Sequence, residues 1–122
     1  GPKVMMLELP PLNEDLSFYA NNSQLLSETL QQLRKDLGEN WPDDHEVEEM
    51  NLPDLICLVA DVLYEVNRRS QQTLFNLFYR IDLPETKVQE SLNSDGFDWN
   101  ALAELIFKRE LQKVVLRRHF SR

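Results

Sequence analysis

Residues 51–70 read NLPDLICLVADVLYEVNRRS, and this stretch decides the fold. Asn51 is a good N-cap type, and Pro53 falls in the first turn, where its missing N–H costs nothing. Behind them Leu52, Leu55, Ile56, Val59, Val62, Leu63 and Val66 recur at helical spacing over a wide arc. The polar sector left to this helix is narrow: Asp54, Asp61, Glu65 and Arg68. A helix so apolar belongs at the centre of a bundle, packed by several neighbours.

Toward the C-terminus, Ser70 caps a second helix whose face is Leu74, Leu77, Phe78 and Ile81. Leu83-Pro84-Glu85 reads as the start of a short helix carrying Val88 and Leu92. Asn93-Ser94-Asp95-Gly96 is a turn cluster, and Asp98 caps the last helix, Trp99 to Phe120. Its inner face is expected to hold Trp99, Ala103, Ile106, Phe107, Leu111 and Val114. Toward the N-terminus, Leu26, Leu30, Leu33 and Leu37 form the stripe of a helix starting at Asn22 or Ser23, with Gly38 at its C-cap. No segment alternates with period two. The expectation is an all-α, compact bundle of five or six helices, three of them long. The helix over 52–66 is expected at its centre, against the helix around Leu74–Ile81 and the final helix.

Residues 1–20 read as an N-terminal arm, with Pro10-Pro11 barring a continuous helix and Val4 to Leu9 extended or a short strand. Residues 21–122 form one helical domain, interrupted by an acidic connector over 38–51, in which Pro42 and the acids behind it suit one short helix. The 122-residue length matches one domain with a real core. At 42% hydrophobic and 28% charged residues, the composition is that of an ordinary globular protein. The start, GPKVMMLEL, lacks the apolar centre of a secretory signal, and no run of 18 apolar residues exists to cross a membrane.

The net charge of −8 opposes non-specific binding to nucleic acid, which needs clustered cations. The charge is also segregated. Residues 1–60 hold 12 acids and 3 cations, whereas residues 61–122 hold 9 acids and 10 cations. Eight acids and no cation lie between Asp36 and Asp54, and six cations with one acid, Glu110, lie between Leu105 and Arg122. The basic helix has three readings, in falling order of weight. Its cations complement the helix dipole; they lie against the acidic connector; or they meet an acidic partner or a nucleic-acid backbone.

Catalytic and metal chemistry finds little support. His45-Glu46 opens like a zinc-protease motif, but Glu49 stands where the second His belongs, and His119 is far away. Asn93 to Asp98 resembles part of a calcium loop; with Gly96 at its sixth position, Ser91 and Leu102 fall where acids must be. Cys57 lies within Leu-Ile-Cys-Leu-Val and is expected to be a buried small hydrophobe rather than a nucleophile served by His45 or His119. One Cys forms no internal disulfide and suits a reducing compartment. Three scattered glycines exclude a phosphate-binding loop. Whether paired carboxylates converge is not readable from spacing. No metal and no cofactor are expected.

The last helix adds a surface feature. With Trp99 at 0° and about 100° per residue, Leu105 and Leu116 fall near 240° and 260°, outside the inner arc. Leu105, Arg109, Lys113, Leu116, Arg117 and Arg118 are therefore the candidate partner-binding residues. Mixed stripes of this kind occur at interfaces. The expected function is that of a small acidic cytoplasmic protein without catalytic activity, a protein-interaction or regulatory module. Its partner is another protein or a second copy in a homodimer, with no membrane contact. The alternative is a nucleic-acid-associated protein using the basic helix, followed by a carboxylate- or His-based enzyme.

Overall fold

The computed structural model describes residues 22–42, 50–93 and 98–120. Within them the chain forms α1 (Ser23–Leu37), one 3-10 turn (Gly38–Asn40), α2 (Leu52–Arg69), α3 (Gln71–Ile81), α4 (Glu85–Asn93) and α5 (Trp99–Phe120), and no strand. The protein is an all-α bundle, as the periodicity implies.

Each long helix begins where a short polar side chain satisfies an otherwise orphaned N–H. Asn22 Oδ1 accepts from Leu25 N at 3.0 Å, Asn51 Oδ1 from Asp54 N at 2.9 Å, and Asp98 Oδ1 from Asn100 N at 2.9 Å. Ser70 serves two helices at once. Its N–H donates to Val66 O at 2.8 Å, closing α2, and its Oγ accepts from Thr73 N at 3.2 Å, opening α3. At the end of α1, Gly38 takes φ +56°, a conformation that a residue with a Cβ adopts only under strain. Asp82, after α3, is left-handed as well (φ 65°, ψ 51°).

The core draws on every helix. Leu55, Val59, Ala60, Leu63 and Val66 of α2 are buried, with Leu52, Ile56 and Val62 flanking them, so the predicted stripe is the one that packs. All four predicted residues of α3 are buried. Ala103, Ile106, Phe107, Leu111 and Val114 of α5 are buried too, and Trp99 is half-buried at its start. Val88 anchors α4.

Two expectations need correction. The centre of the bundle belongs to α5 more than to α2: α5 lies against α1, α2, α3 and α4, whereas the principal neighbours of α2 are α5 and α3. At 22 residues α5 is about 33 Å long, enough to run past all the others. Cys57 is exposed, not buried. Adjacent helical residues point about 100° apart, so an apolar run in sequence does not face one way. Cys57 falls on the outer side of α2 with Asp61 and Tyr64, which are exposed as well.

The arm over 1–20, the short helix expected behind Pro42, the turn at 94–97, His45 and the side chains of Leu92 and His119 lie outside the described residues. The connector is seen only at its ends, where Trp41 is buried and Met50 packs on the core.

Candidate functional site: a buried charge network between two helices

The inner face of α5 is not wholly apolar. Glu110 sits in its middle and is fully buried. Asp36 of α1 is buried beside it. These two carboxyls come together although they are 74 positions apart, because α1 lies along α5. Lys113, one turn after Glu110, joins them: its Nζ donates to Asp36 Oδ2 at 2.7 Å and to Glu110 Oε1 at 3.0 Å.

The network continues outward from there. Gln32 Nε2 donates to Asp36 Oδ2 at 3.1 Å, and Gln32 Oε1 accepts from Arg117 Nη1 at 2.8 Å. Arg80 of α3 donates to the Asp36 carbonyl at 3.1 Å. A chain of bonds thus runs from Arg117 through Gln32 and Asp36 to Lys113 and Glu110, tying α1 to α5.

One atom stands out. Glu110 Oε2 is buried and receives no hydrogen bond from any described group. An ionised oxygen in that position would be costly. Burial raises the Glu110 pKa to about 8, and its hydrogen bond with Asp36 adds to the rise, with Lys113 opposing. These causes favour the neutral acid at Glu110 near neutral pH, and a proton between the two carboxyls accounts for the hydrogen bond that joins them. Asp36 shifts the other way. Burial pushes its pKa up, but hydrogen bonds from Glu110, Lys113 and Gln32 outweigh it and hold the value below the ordinary 3.8. One carboxylate, one carboxylic acid and one ammonium then sum to zero charge, the state in which such a group is least costly to bury.

The predicted partner-binding residues are largely drawn into this framework. Lys113 is in the network. Arg109 donates to Asp82 through Nε and Nη2, each at 2.9 Å. Arg118 pairs with Glu28 of α1. Arg117 is exposed and bonds Gln32. Leu105 and Leu116 are half-buried, and Leu105 packs against the core. Of the other basic residues of α5, Lys108 pairs with Glu104 at 3.3 Å.

The surface carries a feature that the sequence reading did not single out. Among the described residues the exposed large hydrophobics are Tyr64, Phe75 and Tyr79, and Tyr79 is 92% exposed. Phe75 and Tyr79 are one turn apart on the solvent side of α3, and Phe75 rests edge-on against the buried Phe78 with ring centroids 5.9 Å apart. The signal was present as two aromatics at i, i+4 that do not belong to the Leu74–Ile81 face.

One groove runs along Ser23, Leu26, Ser27, Leu30, Gln31 and Arg34 of α1, and another along Glu85, Thr86, Gln89 and Glu90 of α4. Neither of these two grooves is lined by Asp36 or Glu110. Among the described residues, no group of three or more His, Cys, Asp and Glu side chains is placed to hold a metal ion, and no helix is long and apolar enough to cross a membrane. Comparison with protein-family models, with curated proteins and with solved structures finds no match.

Proposed function

We propose that this chain is a non-catalytic protein-interaction module that meets its partner through the aromatic ridge of α3. The carrying observation is the pair Phe75 and Tyr79, set side by side on a helix whose other face is locked into the core. Aromatic residues are enriched at the centres of protein interfaces and charged residues depleted there. The ridge fits that composition: its polar neighbours Gln72 and Asn76 are uncharged and bond each other at 3.1 Å. The partner is another protein or a second copy of this chain.

The ion pairs of α5 favour a protein partner over nucleic acid. Cations engaged with Glu28, Asp36, Asp82 and Glu104 have less charge to offer phosphate, and the net charge of −8 repels it. The single free thiol at Cys57 suits the reducing cytoplasm.

The test places a photo-crosslinking phenylalanine analogue at position 79 and, as a control, at the exposed position 61. The expected result is a discrete protein adduct from position 79, absent from position 61 and lost on Phe75→Ser. An adduct of twice the chain's mass identifies self-association. No adduct, or the same adduct from both positions, overturns the reading. A low-salt gel shift with RNA or DNA that fades as salt rises supports the nucleic-acid alternative instead.

A further inference from the structure

We propose that Asp36, Glu110 and Lys113 form a proton-held latch: one proton on the carboxyl pair keeps α1 fastened to α5, and its loss loosens that seam. Three features of the geometry carry this. Glu110 is fully buried, and among the described residues no group donates to its Oε2, so that oxygen is open to carry a proton. Lys113 is shared between both carboxyls and supplies one positive charge where two negative charges would stand after deprotonation. The cluster joins two helices that are distant in sequence, so repulsion within it acts directly on their packing.

The surroundings offer the second negative charge little relief. From α1 the group meets Asp36, with Gln32 beside it; Lys35 and Glu39 are exposed. From α3 comes Arg80, whose guanidinium is directed to the Asp36 carbonyl and not to a carboxylate. On α5, Arg117 is bonded to Gln32 and Arg109 to Asp82. The packed face of α2 is aliphatic, and α4 pairs its Lys87 with Glu90. The direction of the Glu110 pKa agrees, since burial and the neighbouring carboxyl both raise it. Deprotonation therefore falls within reach of small rises above neutral pH, and its product is an uncompensated charge between α1 and α5.

The test uses the whole chain in a His45→Gln, His119→Gln background, so that no imidazole contributes to the pH profile. The side-chain carboxyl carbon of Glu110, followed by NMR, should titrate near or above neutral pH, well apart from the other glutamates. Amide protection factors between pH 5 and 9 should fall at least about tenfold in α1 and the middle of α5, ahead of α2 and α3, since one unit of pKa difference corresponds to a factor of ten. Glu110→Gln keeps the shape and a donor toward Asp36 without an acidic proton, and should flatten that fall. An ordinary glutamate titration overturns the latch, whether or not the variant folds. Protection that does not fall, or that falls evenly in all helices, overturns it too.

Discussion

Arg109 grips Asp82 at two points, its Nε on the carbonyl and its Nη2 on the carboxylate, each at 2.9 Å. Asp82 is the one described non-glycine residue in the left-handed region, and it ends α3 by donating its N–H to Phe78 O and Tyr79 O. A side chain of α5 thus holds a strained turn that belongs to α3. Arg109→Ala is expected to cost about 1 kcal/mol, since the pair is partly exposed but carries two bonds. Asp82→Gly loses the pair and relieves the backbone, so it should be milder than Asp82→Ala, which loses the pair and keeps the strain. Urea midpoints of the three variants decide; equal losses for Gly and Ala would falsify a strained turn.

Lys113→Met removes the cation bonded to both buried carboxyls. Breaking a buried pair from one side leaves an uncompensated charge and typically costs about 3–5 kcal/mol. The variant should unfold at clearly lower denaturant, and a Lys113→Met, Asp36→Asn double variant should recover part of that loss. Additive losses in the double variant contradict the network.

Acid stability follows from the opposite shifts of the two carboxyls. The pKa of Asp36 is lower in the folded chain than its ordinary 3.8, so its contribution is present above that value and lost as the pH falls through the folded one. Glu110 is raised from 4.5 to about 8, so its contribution is present below 4.5 and lost as the pH rises toward 8. The cluster therefore stabilises most between 3.8 and 4.5, and Asp36→Asn should blunt the acid limb of a melting-temperature profile. An unchanged acid limb in that variant speaks against the assignment.

Val59 is fully buried on α2. Val59→Asp places a carboxylate among aliphatic side chains and should cost more than about 4 kcal/mol, a large fraction of the stability of a domain of this size, and so sharply lower the melting temperature. Circular dichroism followed on heating measures it directly.

The two off-face leucines of α5 should behave differently. Leu105 packs on the core, so Leu105→Glu is expected to lower the melting temperature; among the described residues Leu116 is half-buried and does not join that cluster, so Leu116→Glu should cost less. Light scattering across protein concentration then tells whether Leu116 also serves contact between copies, for its substitution should abolish any dimer without loss of helicity.

Much of the fold was legible in residues 51–120 because stripe and cap signals agreed there. Asn51, Ser70 and Asp98 cap the helices that follow them, and Val59, Leu63 and Ile81 are buried as their spacing requires. Cys57 was misread because its apolar neighbours are adjacent in sequence and not on its side of the helix. Glu110 was readable in principle: with Trp99 at 0° it falls near 20°, in the middle of the apolar arc. An acid at that position implies a buried partner, but periodicity does not say which one, since Asp36 lies on another helix. The acidic connector was the expected counterpart of the basic helix. Of that acidic block, Asp36 meets it among the described residues, and the other described acids opposite it, Glu28 and Asp82, lie outside the block.

The single-residue joint at Ser70 has a consequence for the order of folding. With one residue between them, α2 and α3 can pair with almost no loop to close, whereas Asp36 and Lys113 must find each other across 77 positions. Contacts between near neighbours form fast and those across long separations are slow to be rewarded. The corner at Ser70 should therefore assemble early and the α1–α5 seam late, so that refolding slows only in its last phase as the pH rises from 4.5 toward 8, since the unfolded Glu110 must regain its proton there.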